Sequence, residues 1–392
     1  MRLNAVDLGI ALAVLIAIGS GFRRGFWLSL AQYAGLVAGV VVGALVAPIA
    51  IEGLHIQDRA AQSVAAVVVL VVLGTLGSTL GYAVGEPIRR RILSSPAGGR
   101  ADSVGGAVFS VAAVLAISWF LGLAFARGPS QTLSALIQRS AVLRRLDAIA
   151  PQPPALLSRV EAILSGVEFP SVFGGLEPFF AHPYPLPASI DTPGIRLAEA
   201  ATVKITGQGC GGLVFGSGFP IGGGQVLTNA HVVAGTRGTV VRSPGQPTLR
   251  ASVVLFDSGR DVAILFVPGL RSAALGMADA GAGTDGAAIG YPGGRGEQVS
   301  PAVINAQVTA VGRDIYGQRQ VERQIWVTTT SVSPGNSGGP LVDRAGHVVG
   351  VVFAASTSQS DQAYALTNTE VSPDIAQAQG RQQAVAIGPC AL

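Results

Sequence analysis

The sequence predicts a bundle of four transmembrane helices followed by an all-β domain built from two barrels. The 392-residue chain is 49% hydrophobic and only 12% charged, about half the charged fraction of an average soluble domain. The apolar excess is concentrated in the first third. From about residue 190 onward, short β-rich runs alternate with glycine-containing turns, a pattern that is typical of antiparallel barrels.

Four long apolar segments occupy the first third of the chain. Each approaches or exceeds the roughly 20 residues that an α-helix needs to cross a bilayer, and four in succession are not typical of a soluble protein. The first runs into Arg23 and Arg24 without a small-residue cleavage site, so we do not expect a removable signal peptide. The segments span about Ala5–Phe22, Trp27–Ile51, Ala61–Gly85 and Val104–Ala126.

The charges between these segments predict their orientation, because basic loops stay on the cytoplasmic side of a membrane. Arg23 and Arg24 separate the first two helices, and Arg89, Arg90 and Arg91 separate the last two. The sequence therefore predicts that both termini, and the domain after the fourth helix, lie outside the cytoplasm. Arginines just after the fourth helix favour the opposite orientation weakly.

Glycines recur at four-residue spacing in the second and third segments. Such stripes let helix backbones approach closely in a membrane. The sequence leaves open whether they pack helices within one chain or join two chains as a homo-oligomer. One stripe consists of Gly35, Gly39 and Gly43, and the other of Gly77, Gly81 and Gly85.

A serine nucleophile is predicted in the all-β region, in the run Ser-Pro-Gly-Asn-Ser-Gly-Gly-Pro-Leu-Val that begins at Ser333. Gly335 permits a turn that aims its own N–H and that of Ser337 at one point. This pair would hold the negative oxygen of a tetrahedral intermediate. A serine hydroxyl needs a base to act as a nucleophile, so the loop predicts catalysis only beside a histidine and a carboxylate.

The chain supplies both groups upstream of the serine. An apolar strand runs into His231, and Asp261 opens a later strand. The order histidine, aspartate, serine is that of chymotrypsin-type proteases. Ser337 is predicted to attack the scissile carbonyl, His231 to move the proton and Asp261 to hold the imidazole. Asp257 competes for the carboxylate role, and Asp261 is preferred because Val, Ile, Leu and Phe follow it closely. His347 is interpreted as a turn residue.

These motifs resemble those of the bacterial trypsin-like proteases of the HtrA group. That resemblance implies a chymotrypsin-like double β-barrel, with His231 and Asp261 on the first barrel and Ser337 on the second. The chain departs from the group because only about fifty residues follow Ser337, where HtrA proteins carry PDZ domains. The matching motifs are Gly216-Ser-Gly-Phe219, Leu227-Thr-Asn-Ala-His-Val-Val233, Asp261-Val-Ala-Ile-Leu265 and Gly335-Asn-Ser-Gly-Gly-Pro-Leu341.

The same resemblance implies where the substrate pocket lies. In this fold the pocket is built from residues just before the nucleophile and on the strand after it. None of the residues at those positions is charged, so we expect no preference for arginine or lysine at the cleavage site. The positions are Thr330, Ser331, Val352, Phe353 and Ala354.

Cys210 and Cys390 are the two cysteines of the sequence. An even pair in a domain that is expected outside the cytoplasm predicts a disulfide, which would tie the C-terminal tail to the first barrel. Two unlinked buried thiols are the alternative.

The first part of the chain resembles the colicin V production (CvpA) family over about residues 1–150, through Asp7, Arg24-Gly-Phe26 and Asp102-Ser-Val-Gly-Gly-Ala-Val108. CvpA-like helices joined to a trypsin-like protease with two cysteines resemble the actinobacterial MarP family of membrane-anchored proteases. The family resemblance implies proteolysis in the cell envelope during acid and oxidative stress.

Three parts are therefore predicted: a four-transmembrane-helix CvpA-like domain (1–126), a helical and proline-rich linker (127–189) and a chymotrypsin-like serine protease domain (190–392). The expected function is a membrane-tethered serine endopeptidase that needs no cofactor and cleaves proteins or peptides outside the cytoplasm. The alternatives are an idle peptide-binding scaffold, or a CvpA-like transport protein with a regulatory protease. The net charge of +4 comes from scattered arginines, so we expect no nucleic acid partner. The sequence shows no metal-ligand cluster.

Overall fold

The computed structural model describes residues 4–53, 59–92, 96–126, 131–149, 172–173, 175–177 and 183–391. The chain divides into two compact units, Met1–Val167 and Glu168–Leu392. The division into three parts stays a prediction, because much of the predicted linker lies outside the described residues.

Helices build the first unit. Four of them contain stretches that are long and apolar enough to cross a membrane, as predicted. Many of their large apolar side chains, such as Leu8, Leu15 and Leu80, are exposed, which is typical of surfaces that contact lipid. The helices are α1 (Ala5–Arg24), α2 (Phe26–Gly53), α3 (Arg59–Ile92), α4 (Pro96–Phe125) and the shorter α5 (Gln131–Gln138) and α6 (Ala141–Ile149).

The two glycine stripes pack α2 against α3. A Cβ atom added at Gly35 would overlap the carbonyl oxygen of Gly77, and one added at Gly77 would overlap that of Gly35. Only glycine permits backbones this close. The stripes therefore serve contacts within the chain. A homo-oligomer stays a prediction, and it would need a surface other than these stripes, which are already packed against each other.

Two carboxylates of the CvpA-like motifs fasten the ends of helices. Asp7 is buried and accepts hydrogen bonds from the Ser140 hydroxyl (2.6 Å) and the Val142 N–H (3.0 Å) at the start of α6. Asp102 accepts from the Phe26 N–H (2.9 Å) and pairs with Arg89 at 3.0 Å. Free N–H groups at a helix start need such acceptors, so both motifs have a structural role in this unit.

The second unit begins with helix α7 (Pro193–Ala201) and a curled antiparallel sheet of seven strands, the first barrel. Its strand order is β5-β4-β1-β2-β3-β7-β6. A four-residue helix, α8 (Ala230–Val233), follows the third strand. The strands are β1 (Val203–Gly209), β2 (Gly212–Gly222), β3 (Gln225–Thr228), β4 (Arg237–Arg242), β5 (Leu249–Arg250), β6 (Ser252–Asp257) and β7 (Val262–Phe266).

The second barrel is closed, in the order β10-β13-β12-β11-β8-β9. One apolar cluster extends from Phe219 and Leu227 of the first barrel to Ile289 and Tyr364 of the second. Burying each such side chain contributes roughly 1.5–3 kcal/mol, so the two barrels stabilise each other. The strands are β8 (Asp285–Gly290), β9 (Gln298–Arg313), β10 (Gln320–Thr329), β11 (Pro340–Asp343), β12 (Val348–Ala355) and β13 (Gln362–Thr367), and α9 (Asn368–Ala378) follows them.

Cys210 and Cys390 form the predicted disulfide, with Cα atoms 5.6 Å apart. Cys210 lies in the turn between β1 and β2. The tail that carries Cys390 runs along the first barrel, where the Val385 N–H donates to the Val253 carbonyl at 2.9 Å. The bond therefore ties the end of the chain to the first barrel, as the cysteine count predicts.

Part of the predicted linker contacts the second barrel. The rings of Phe173 and Tyr364 meet edge to face with centroids 5.3 Å apart. The buried Glu177 carboxylate accepts hydrogen bonds from the Ser356 hydroxyl (2.5 Å) and the Thr357 N–H (3.1 Å). These contacts fasten Phe173 to β13 and Glu177 to the loop between β12 and β13.

Candidate active site

His231 and Asp261 meet at one end of a pair of strands in the first barrel, where β3 ends and its partner β7 begins. β3 leads into α8, which carries His231, and Asp261 directly precedes β7, the partner of β3. The ring Nδ1 of His231 lies 2.7 Å from Asp261 Oδ2, and the His231 backbone N–H donates to Oδ1 at 2.9 Å. This contact favours the tautomer with hydrogen on Nδ1, which leaves Nε2 free to accept a proton.

Asp261 occupies an unusual backbone conformation. Its φ is 62°, in the left-handed region that few non-glycine residues adopt, and the residue is fully buried. The Asn229 side-chain amide donates to its carbonyl at 2.8 Å. The alternative carboxylate, Asp257, instead accepts from the Gly259 and Arg260 N–H groups at 2.7 and 2.9 Å. The geometry thus favours Asp261 as the partner of His231.

The loop between β10 and β11 carries Ser337. Gly335 has a φ of 103°, and a Cβ atom there would overlap the Tyr291 carbonyl oxygen. The Pro334 carbonyl accepts from the Gly293 N–H at 2.7 Å. Because the C=O and N–H of one trans peptide point in opposite directions, the Gly335 N–H points away from Gly293. Within the described part of the chain, the Gly335 and Ser337 N–H groups have no protein acceptor.

Ser337 lies in the second barrel but packs against the first. The Ser337 carbonyl accepts from the Ser217 N–H at 2.8 Å, and Gly338 sits against Thr228, three residues before His231. Among the described residues, no hydrogen bond joins the Ser337 hydroxyl to the His231 ring. Nucleophile–base contacts are often loose in the absence of substrate. The structure therefore places His231 and Asp261 in direct contact, and it packs the loop of Ser337 against the strand that leads to His231.

The predicted pocket residues differ in their surroundings. Val352 is bonded to the nucleophile loop: its N–H donates to the Gly339 carbonyl at 2.9 Å, and its carbonyl accepts from the Gly338 N–H at 2.8 Å. Phe353 and Ala354 are fully buried in the apolar core, whereas Ser331 is exposed and Thr330 is buried. The strand after the nucleophile is thus adjacent to it, as predicted, but the Phe353 ring belongs to the core.

Sequence reasoning missed the residues that support the nucleophile loop. Ser217 of β2 and the short turn from Tyr291 to Gly294 both hydrogen-bond to it. Ser217 lies in the Gly-Ser-Gly-Phe motif that carries the HtrA resemblance, which is the signal that could have identified it. The turn has no such local signal, because its contacts join residues that are distant in sequence.

Glu297 is a partly buried acid just after this turn. Its pKa is raised from an ordinary 4.5 to about 7, mainly by burial and in smaller part by the nearby Glu199, while a hydrogen bond from Tyr291 acts in the opposite direction. One of its carboxylate oxygens is buried without a hydrogen-bond partner in the described chain. A folded-state pKa above the unfolded value means that the ionised form opposes folding. This cost is absent below about pH 4.5 and complete above about pH 7.

We therefore expect Glu297→Gln to stabilise the protein more at pH 8 than at pH 5. The expected difference is on the order of 1 kcal/mol, because the carboxylate remains partly exposed and its interactions are screened. Unfolding of the detergent-solubilised protein, followed through the infrared band of its β-sheets, measures the change at both pH values. An equal effect of the substitution at pH 5 and pH 8 would contradict the burial of this charge.

Comparison with known proteins agrees with both units. The family model for the trypsin-like peptidase domain matches residues 216–351, and that for the colicin V production protein matches residues 6–151. Serine protease Rv3671c of Mycobacterium tuberculosis (strain H37Rv) is 34% identical over 98% of this chain and 98% of its own. The crystal structure of the active form of its protease aligns with a TM-score of 0.52 at 38% identity, covering 55% of this chain and 99% of that one.

More distant relatives match the protease region only. A probable periplasmic serine endoprotease, DegP-like, from Pseudomonas savastanoi is 36% identical over 35% of this chain and 28% of its own length. The fold and the matches together define a serine endopeptidase whose chymotrypsin-like double barrel is joined to CvpA-like membrane helices. This chain belongs to the family of the Mycobacterium tuberculosis serine protease Rv3671c, the MarP family that the sequence resembles.

Proposed function

We propose that this protease cleaves proteins of the cell envelope from the extracytoplasmic side of the membrane, with a triad of His231, Asp261 and Ser337. The observation that carries the proposal is the 2.7 Å contact between the His231 ring and the buried Asp261 carboxylate. The N–H groups of Gly335 and Ser337, which have no acceptor among the described residues, support an oxyanion hole. The resemblance to the MarP family supports a role in acid and oxidative stress.

The proposed chemistry follows the geometry of these groups. The Ser337 hydroxyl attacks the scissile carbonyl carbon while His231 Nε2 takes its proton. The N–H groups of Gly335 and Ser337 donate to the oxygen that becomes negative. Asp261 stabilises the imidazolium, which then gives its proton to the leaving amine. A water molecule repeats the sequence on the acyl-enzyme and releases the second product.

Three observations support the extracytoplasmic position of the protease. A disulfide forms and persists in oxidising compartments, and Cys210 and Cys390 are joined. Arginine-rich loops between the helices favour a cytoplasmic position for those loops. The DegP-like relatives are themselves named as periplasmic. Together these observations support substrates that lie in the cell envelope.

Cleavage specificity provides a separate prediction. The proposed pocket residues are uncharged. Among them, Val352 forms backbone hydrogen bonds with the nucleophile loop. Without a carboxylate in the pocket, a basic side chain of the substrate would lose its hydrating water and gain no opposite charge in exchange. We therefore expect a peptide library to be cut mainly after uncharged residues. A cleavage profile dominated by arginine or lysine would contradict this pocket assignment.

A membrane-impermeant fluorophosphonate tests the proposed function, because only an activated serine reacts with it. The probe should label the wild-type protein on intact cells as strongly as after lysis, and should not label Ser337→Ala. Labelling that requires lysis would contradict the extracytoplasmic position. An absence of labelling in both preparations would favour the idle peptide-binding scaffold.

A further inference from the structure

Ser217 connects the first barrel to both donors of the proposed oxyanion hole. Its side chain is fully buried. Its N–H donates to the Ser337 carbonyl at 2.8 Å, and its hydroxyl donates to the Gly335 carbonyl at 2.7 Å. The same hydroxyl accepts from the Tyr291 N–H at 2.9 Å. One residue of β2 therefore contacts the nucleophile, the preceding glycine and the turn behind them.

These contacts fix the orientation of the peptide groups on either side of Gly335. The Gly293 N–H holds the Pro334 carbonyl at 2.7 Å, which sets the peptide before Gly335. The Ser217 hydroxyl holds the Gly335 carbonyl, which sets the peptide after it. Glycine resists backbone rotation less than any other residue, so its N–H keeps one direction only when both flanking peptides are held.

Ser217 is itself held from the strand that leads to the proposed base. The Thr228 hydroxyl donates to the Ser217 carbonyl at 2.8 Å, and Thr228 ends β3 three residues before His231. The site is also closely packed: a Cβ atom added at Gly290 would lie 2.8 Å from the Ser217 hydroxyl oxygen. The Ser217 hydroxyl is therefore enclosed by close-packed backbone.

We infer that Ser217 is a positioning residue of the oxyanion hole, whose hydroxyl keeps the Gly335 N–H directed at the reacting carbonyl. This inference rests on the proposed function, because it takes Ser337 as the nucleophile and the Gly335 and Ser337 N–H groups as the donors. Without the hydroxyl, the Gly335 carbonyl loses its partner and the peptide after Gly335 can rotate, which leaves the Gly335 N–H held from one side only. The loss of one oxyanion donor lowers kcat by about 10²- to 10³-fold.

The experiment compares Ser217→Ala with wild type in the full-length, detergent-solubilised protein. Because Gly293 still holds the preceding peptide, we expect kcat to fall by about 10- to 100-fold, with KM changed less than about two-fold. Affinity for a peptidyl trifluoromethyl ketone, which forms a tetrahedral adduct, should fall in parallel. Affinity for a cleaved product peptide should not change. If Ser217 had a merely structural role, the substitution would not change the affinities for these two ligands differently.

A matched control is Ser300→Ala, which removes another buried hydroxyl of the second unit that does not contact the nucleophile loop. It should leave kcat and the affinity for the ketone unchanged. If Ser217→Ala does not fold, Thr228→Val removes only the hydroxyl that holds the Ser217 carbonyl, and kcat should fall by about three- to ten-fold with KM unchanged.

The outcomes separate this inference from the proposed function. Wild-type labelling by the fluorophosphonate together with an unchanged kcat in Ser217→Ala, or in Thr228→Val where the first variant does not fold, overturns the inference alone. A wild-type protein that does not react with the probe overturns the proposed function as well.

Discussion

Replacement of Ser337 by alanine is expected to lower peptide turnover by about 10⁴-fold or more, because it removes the attacking oxygen and leaves only binding and the oxyanion donors. His231→Ala should cost a similar factor, because the serine hydroxyl then has no base. Combining the two should add little, since residues of one catalytic unit are not additive. Initial rates on a fluorogenic peptide measure these losses.

His347→Ala is the matched control for the histidine. His347 is exposed, in the turn between β11 and β12, and its ring contacts the Asp343 carboxylate at 3.4 Å. Its removal should leave turnover within about two-fold of wild type, as for a surface substitution. A loss at His347 as large as that at His231 would show that the proposed base is wrong. Substantial turnover by Ser337→Ala would show that the proposed nucleophile is wrong.

Loss of the Cys210–Cys390 disulfide is expected to lower the free energy of unfolding by up to about 5 kcal/mol in the chain-entropy model. The bond closes a loop between residues 180 apart in sequence, so its removal greatly enlarges the freedom of the unfolded chain. The double substitution Cys210→Ser with Cys390→Ser tests this without leaving a free thiol. Chemical denaturation of the detergent-solubilised protein, followed through its β-sheet signal, measures the loss.

The other contacts of the tail provide the control for the disulfide. Tyr316→Phe removes the hydrogen bond that its hydroxyl donates to the Ile387 carbonyl at 3.2 Å, and it leaves the covalent bond in place. It should cost about 1 kcal/mol, and hydrogen exchange in the tail should stay slow. The double serine variant should show fast exchange there. A loss below about 1 kcal/mol in the serine variant would contradict a stabilising role for the disulfide.

Several features of this protein follow from local sequence patterns. The length and apolarity of four segments predict membrane helices, because a helix must satisfy its own backbone in lipid. The two cysteines predict their own pairing. The nucleophile loop, the strand before His231 and the strand after Asp261 are each a short motif, and their order predicts the double barrel. The roles of Ser337 and its partners remain predictions for the kinetics to test.

Other features depend on contacts between residues that are distant in sequence. The glycine stripes permit packing within or between chains, and only the tertiary structure places Gly35 against Gly77. The position of Asp7 near the start of the first apolar segment is compatible with a carboxylate solvated at the membrane edge. In the structure that carboxylate instead binds the start of α6, more than 130 residues away. The sequence already favours Asp261 over Asp257, but only the pairing of β3 with β7 shows how Asp261 comes within 2.7 Å of the His231 ring.

The support of the nucleophile loop shows most clearly why sequence patterns are insufficient. The Ser217 hydroxyl and the Gly335 carbonyl are 118 residues apart, and the Gly293 N–H that holds Pro334 belongs to a third segment. Hydrogen bonds of this kind leave no periodicity and require no particular neighbours in sequence. The sequence by itself therefore determined which residues are candidates for the chemistry, whereas the packing of one barrel on the other decided how the backbone of the nucleophile loop is held.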